Sequence, residues 1–238
     1  MTDGTGAIPA PPPGGVRTTR RRGRTSAAQQ TTLAELGSSW LVAPADVTTA
    51  AARTATFGRA APLLIDIGVG DGRASVAWAA ERPDADLMAI ELHRPGIVKL
   101  LRALDADQRT NARVLEADAV AVLDDLEPTS VDGIRVLFPD PWPKRRHVAR
   151  RMVDRAFVTR VADLLRPGGE LLLATDWDDY AEHMVSMVAT DRRFEPDHPA
   201  ARPDRPVTAY EQRGLDAGRA IRDLRYRRTG GGATSSSG

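Results

Sequence analysis

The sequence predicts an α/β fold, a mostly parallel β-sheet with helices on both faces. Three observations predict it. Short apolar runs alternate with longer amphipathic segments, and strands that read as apolar throughout are those buried on both faces. A glycine-rich turn, Gly68-Val69-Gly70-Asp71-Gly72, joins the first apolar run to the first amphipathic segment. An acid then stands in or just after each of the first four runs: Asp66, Glu91, Asp118 and Asp140. Open parallel sheets bind their ligands at these carboxyl ends.

Each element has its own local signal. Leu63–Ile67 is the first strand, stopped by the glycines, and a helix from about Arg73 to Glu81 follows. Asp86–Glu91 is the second strand, followed by a helix from about Pro95 to Leu104. Ala112–Ala117 is the third, with a short helix from Ala119 to Leu126. Gly133–Phe138 is the fourth. Val153, Phe157, Val161 and Leu164 recur at helical spacing, which predicts a helix from about Ala149 to Leu165. Arg166-Pro167-Gly168-Gly169 stops it, and Glu170–Thr175 is the fifth strand. Trp177, Ala181, Met184 and Val188 mark one more helical face. From Thr208 the chain reads as a short helix and then a strand over about Ala220 to Arg227.

The 238 residues suit one sizeable core. Residues 1–31 are expected to be a disordered segment carrying a basic arm, Arg17 to Arg24. Residues 32–228 form the folded domain, and residues 229–238 a flexible tail. Cysteine is absent, which excludes disulfides, thiolate metal sites and a cysteine nucleophile and fits a reducing cytoplasm. The four histidines show no metal-ligand spacing, so no metal is expected. No apolar run has the length of a membrane span, and the N-terminus lacks a signal-peptide core. Net charge is only +1, so affinity for nucleic acid has to come from local clusters of cations.

The glycine turn alone is weak, because tight strand–helix turns need glycine anyway. A nicotinamide-binding fingerprint would place its third glycine where Arg73 stands, which disfavours an oxidoreductase. The four acids together favour a nucleoside-containing cofactor, with Glu91 at the spacing of an acid that grips ribose hydroxyls. Each has a plainer role open to it. Asp118 is also placed to cap the helix at Ala119, Asp140 to stabilise a turn, and Glu91 to be a solvated strand end.

The stretch FPDPWPKRRH, Phe138 to His147, is the least ordinary of the chain. Three prolines stiffen six residues around Asp140 and Trp142, and three cations follow. Lys144, Arg145, Arg146, Arg150 and Arg151 form a cluster suited to phosphates. Trp142 either offers a π-face to a base or packs in its loop.

In order, D-I-G-x-G-x-G, A-I-E-L-H-R-P-G, E-A-D-A, F-P-D-P-W-P-K-R-R-H, L-R-P-G-G, A-T-D-W and Y-E-Q-R-G closely resemble the bacterial tRNA (guanine-N7)-methyltransferases. The resemblance runs from about Arg20 to Arg227 and is most specific in F-P-D-P-W. It implies a Rossmann-like class I methyltransferase with a seven-stranded sheet whose last strand is antiparallel. It implies S-adenosylmethionine as cofactor, tRNA as partner, and a variable-loop guanine at tRNA position 46 as target. The protein would be cytoplasmic, a monomer or homodimer. The cofactor-binding residues implied are Asp66, Gly68, Gly70, Glu91, Asp118 and Asp140, with Asp140 also catalytic. Lys144, Asp176, Thr208, Tyr210 and Glu211 would contact substrate, although Asp176 is equally placed to cap the helix at Trp177. Three positions depart from the family's habit: Asp66 stands where Glu is frequent, Pro143 replaces a frequent His, and Ala209 stands within the T-x-F/Y-E run. Methyltransferases of exocyclic base amines carry D/N-P-P-aromatic; the order Asp140-Pro141-Trp142-Pro143 argues against them. A non-catalytic RNA-binding module is disfavoured by the intact glycines and acids.

Overall fold

The computed structural model describes residues 25–197 and 205–230. The basic arm Arg17–Arg24 and the tail beyond Gly230 lie outside the described residues. The folded part starts before the expected boundary at residue 32. Helix α1 spans Ala27–Trp40, and Ser26 caps it: the Ser26 hydroxyl accepts from the Gln29 amide (3.3 Å), while Gln29 Oε1 accepts from the Ser26 amide (2.8 Å). Helix α2 spans Ala50–Phe57 and is capped by Thr49. Neither helix was predicted, because neither shows a strong apolar period.

From there strands and helices alternate. The order is β1 (Leu63–Ile67), α3 (Arg73–Glu81), β2 (Asp86–Glu91), α4 (Arg94–Ala106), β3 (Ala112–Glu116), α5 (Ala119–Asp125) and β4 (Val131–Leu137). Then come α6 (Arg155–Leu164), β5 (Leu165–Thr175), α7 (Asp178–Val188), β6 (Phe194–Pro196), α8 (Ala209–Asp216) and β7 (Arg222–Arg228). The seven strands form one sheet in the order β3-β2-β1-β4-β5-β7-β6. Strands β1 to β5 pair in parallel; β7 is antiparallel to β5 and β6 antiparallel to β7. Helix α1 lies against α4, where Trp40 Nε1 donates to the Arg109 carbonyl (2.8 Å) and Arg102 Nη2 donates to Thr32 Oγ1 (2.7 Å).

Both sheet faces are covered, which explains why the strands are apolar apart from single residues such as Asp66 and Arg135. Along β1 the side chains divide between two cores. Leu63, Ile65 and Ile67 join Met88, Ile134, Val136, Phe157 and Tyr180 on one face. Leu64 joins Leu87, Ile97, Leu101 and Val114 on the other. Fully burying each such leucine or isoleucine stabilises by roughly 1.5–3 kcal/mol.

Two expected elements are corrected. The helix expected from Ala149 begins only at Arg155, after a 3-10 turn over Arg145–Arg150. Asp154 breaks the run: its side chain accepts from the Phe157 amide (2.8 Å), fixing the helix start there. Strand β5 begins at Leu165 rather than Glu170: Leu165 pairs with Val131, and Arg166-Pro167-Gly168-Gly169, with Gly168 at φ +83°, bulge out before Glu170 pairs with Gly133.

Candidate active site

The strand order reverses between β1 and β4, so the loops after these strands diverge and leave a crevice. A cleft opens there. Its floor is Ile67, Val136, Leu137 and Met152, and its walls include Gly68, Gly70, Glu91, Phe138, Asp140, Trp142, Arg150 and Tyr210. The structure brings Gly68, Gly70, Glu91, Asp140, Arg150 and Tyr210 together from four separate segments of the chain.

The glycines shape one wall. Gly68 has φ +76°, and a Cβ on it would meet no atom within 4 Å. Gly70 has φ +60°, and its Cβ would come 3.2 Å from the Tyr210 ring. Both conformations are strained for other residues, and their bare backbone admits a ligand closely. Glu91 stands opposite at the end of β2. Its Oε1 accepts from the amides of Leu92 (2.7 Å) and His93 (2.8 Å), which fixes the carboxylate. Oε2 has no hydrogen bond among the described residues. A cradle of bare backbone facing an anchored acid suits a nucleoside with vicinal hydroxyls.

Asp140 sits at the exposed tip of the loop after β4. Its carboxylate makes no hydrogen bond or ion pair among the described residues. Two residues on either side of it, Phe138 and Trp142 take φ values of +52° and +44°. Bulky side chains seldom adopt this region, and each such residue costs on the order of 1–3 kcal/mol. Trp142 packs edge-on against His147 at 5.7 Å and beneath the Arg150 guanidinium at 5.0 Å. The His147 imidazole titrates below its ordinary range, through desolvation first and then the charges of Arg150, Arg146 and Lys144. Lys144, Arg145, Arg146 and Arg150 are exposed, and none has an acidic partner among the described residues.

Other predicted residues lie elsewhere. Asp66 is buried in β1 beneath the cleft. It accepts from Arg135 Nη2 (2.7 Å) and from Ser75 Oγ (2.7 Å), and it does not line the cleft. Asp118 takes the capping role, accepting from the Val120 amide (2.9 Å). Arg151 is a correction: its side chain is 2% exposed and cannot meet a phosphate as it stands. It ion-pairs with Asp179, donates through Nε to the Pro141 carbonyl (2.9 Å) and stacks on Tyr180 at 4.8 Å. Asp176 does not cap α7; it pairs with Arg219 at 2.8 Å. Thr208 caps α8 by accepting from the Glu211 amide (3.2 Å). Glu211 is buried in an ion pair with Arg205, which also reaches Asp223 at 2.8 Å. The segment around α8 is laid over the glycine loop: the Ala209 amide donates to Asp71 Oδ2 (3.3 Å).

Sequence reasoning missed Arg135, Ser75 and Arg205, the partners that hold these acids. No helix among the described residues is long and apolar enough to cross a membrane, and no His, Asp and Glu group among them could hold a metal.

Comparison with known proteins adds to this geometry. A family model described as a putative methyltransferase matches residues 60–224. A tRNA (guanine-N(7)-)-methyltransferase of Paracidovorax citrulli is 41% identical over 217 residues, covering 88% of this chain and 85% of that protein. One from Nitrosomonas europaea is 43% identical over 177 residues, covering 73% and 79%. Among solved structures, the antibiotic-resistance methyltransferase Kmr superposes with a TM-score of 0.53 at 21% identity, over 76% of this chain and 93% of that one. The 16S rRNA methyltransferase KamB gives 0.52 at 16%, over 76% and 94%. These two show a shared fold.

Proposed function

The chain belongs to the tRNA (guanine-N(7)-)-methyltransferase family, and from that premise we propose that it transfers a methyl group from S-adenosylmethionine to N7 of a guanine in tRNA. The observation that carries this reading is one cleft holding an anchored acid, a glycine wall and a carboxylate unpaired among the described residues, beside an exposed run of cations. S-adenosylmethionine supplies an electrophilic methyl group on a sulfonium. Its nucleoside fits the cradle already described, with Glu91 facing the ribose hydroxyls and Gly68 and Gly70 giving it room.

Guanine N7 carries a lone pair and no proton, and it lies on the major-groove edge of the base. The chain's task is alignment, with reacting atoms about 3–3.5 Å apart, and stabilisation of positive charge. Asp140 supplies a fixed negative charge at the mouth of the cleft. Lys144, Arg145, Arg146 and Arg150 take the phosphates that flank the target nucleotide. Asp176, Thr208 and Glu211 act through the pairs that hold them, shaping the wall around Tyr210. A position in the tRNA variable loop and a cytoplasmic location complete the reading. The test is incubation with labelled S-adenosylmethionine and bulk tRNA, followed by identification of the modified nucleoside. Label in 7-methylguanosine supports the reading; label in any other nucleoside overturns it.

Two further results are expected. Glu91→Ala removes an acceptor facing the ribose and weakens S-adenosylmethionine by roughly 1.5–3 kcal/mol, the range for bonds to charged groups. Calorimetry on the folded variant checks this, and unchanged affinity would move the cofactor's ribose elsewhere. Neutralising Arg145 and Arg146 together flattens the salt dependence of tRNA binding and leaves cofactor affinity nearly unchanged. Binding titrations at several salt concentrations check it; an unaltered slope would place the RNA surface on another face.

A further inference from the structure

We propose that buried Arg151 is a positioning residue for Asp140, acting through the backbone of the loop that carries it. The proposal rests on the methyltransferase reading. It starts from what Asp140 lacks. No side chain or amide among the described residues holds its carboxylate, so the loop backbone alone sets its position. That backbone has few anchors of its own. Pro139, Pro141 and Pro143 offer no N–H, and the strained φ values at Phe138 and Trp142 disfavour the conformation observed.

Among the described residues, two hydrogen bonds hold the backbone on either side of Asp140. On the strand side, the Phe138 amide donates to the Ala174 carbonyl of β5 (2.8 Å). On the far side, Arg151 Nε donates to the carbonyl of Pro141, the residue directly after Asp140 (2.9 Å). The guanidinium is itself fixed from two more directions. It ion-pairs with Asp179 in the first turn of α7, and it stacks on Tyr180, whose phenol burial pushes up to about 12. Tyr180 in turn accepts from the Val153 amide (3.3 Å). Arg151 thus ties the loop after β4 to the helix after β5. A planar fork serves the carbonyl through Nε and the carboxylate through Nη2 while its face lies on the Tyr180 ring; a lysine ammonium has no such face and no such fixed spread of donors.

Arg151→Lys keeps the charge and loses the fork, and it is the deciding variant. It should lower the single-turnover rate of methyl transfer, at saturating cofactor and tRNA, by at least about tenfold. Its affinity for S-adenosylmethionine should stay close to that of the wild type, because Glu91 and the glycines are untouched. Asp179→Asn breaks only the ion pair at a side chain that is 69% exposed. It should slow the same step to a smaller degree with little change in melting temperature. A folded Arg151→Lys with wild-type single-turnover rate overturns the proposal. So does a loss seen only as weaker cofactor binding or lower melting temperature. If Arg151→Lys does not fold, Asp179→Asn decides, and an unaltered rate there sinks the idea. The wild-type control separates the two levels: absence of 7-methylguanosine from the wild type defeats the methyltransferase reading itself.

Discussion

Replacing Asp66 with alanine is expected to lower the unfolding free energy by about 3–5 kcal/mol, the cost of leaving a buried charge without its partner. The side chains of Asp66 and Arg135 are 3% and 4% exposed. The pair is bidentate, with Nη2 at 2.7 Å and Nε at 3.3 Å from the carboxylate, and Ser75 donates a third bond. Arg135 also stacks on Trp78 at 4.3 Å. Asp66→Ala removes every acceptor at once and strands the guanidinium inside the sheet. Asp66→Asn keeps the volume and one acceptor, so its loss should be smaller. Replacing both members, Asp66→Leu with Arg135→Met, should recover much of the stability, because the charge to be desolvated is gone. Urea unfolding with an unchanged m-value measures all three. The same variants separate two roles for Asp66. If Asp66→Ala unfolds at the wild-type midpoint and loses only cofactor affinity, the carboxylate serves the ligand, as the sequence suggested, and not the sheet.

Asp66 also shows where sequence reading stops. Its place at the carboxyl end of β1 was legible, because a run that is apolar apart from Asp66 and ends in glycines leaves little choice of boundary. Its partner also has a signal in the sequence. Arg135 lies inside the otherwise apolar fourth strand, and a buried arginine requires an acid close by. The register pairs Asp66 with Arg135 across the β1–β4 contact. Glu211 is a different case. Its partner Arg205 is near in sequence, but no periodic or spacing pattern ties the two, and burial of the pair is a tertiary outcome. In sequence Arg151 stands with its basic neighbours as one cluster suited to phosphates. The 3-10 turn over Arg145–Arg150 divides them, leaving Arg145, Arg146 and Arg150 outside while Arg151 turns inward. Composition cannot report such a division. Gly68, Gly70, Glu91 and Asp140 line one cleft because strand ends in a parallel sheet converge, whatever the details of packing.

Asp140→Asn is expected to lower the single-turnover rate by at least about tenfold, equivalent to ~1.4 kcal/mol of barrier. Asparagine keeps the shape of the side chain and one oxygen acceptor, so the loop should retain its conformation. What it removes is a full negative charge at the mouth of the cleft. Positive charge has to pass from the methyl donor to the purine during transfer, and a fixed carboxylate stabilises it along that path. Asp140→Ala should be slower still, since it also loses the acceptor that orients the base. General-base chemistry predicts something else. Guanine N7 has no proton to surrender, so proton removal cannot assist the methyl-transfer step. The wild-type rate should therefore be flat from about pH 6 to 8 when both ligands are saturating, with no need for a base tuned toward neutrality. A rate that climbs through this range, and loses its climb in Asp140→Asn, would defeat the electrostatic account in favour of a base. A fully active Asp140→Ala would remove Asp140 from the chemistry altogether, and the strained, braced loop that carries it would need another purpose.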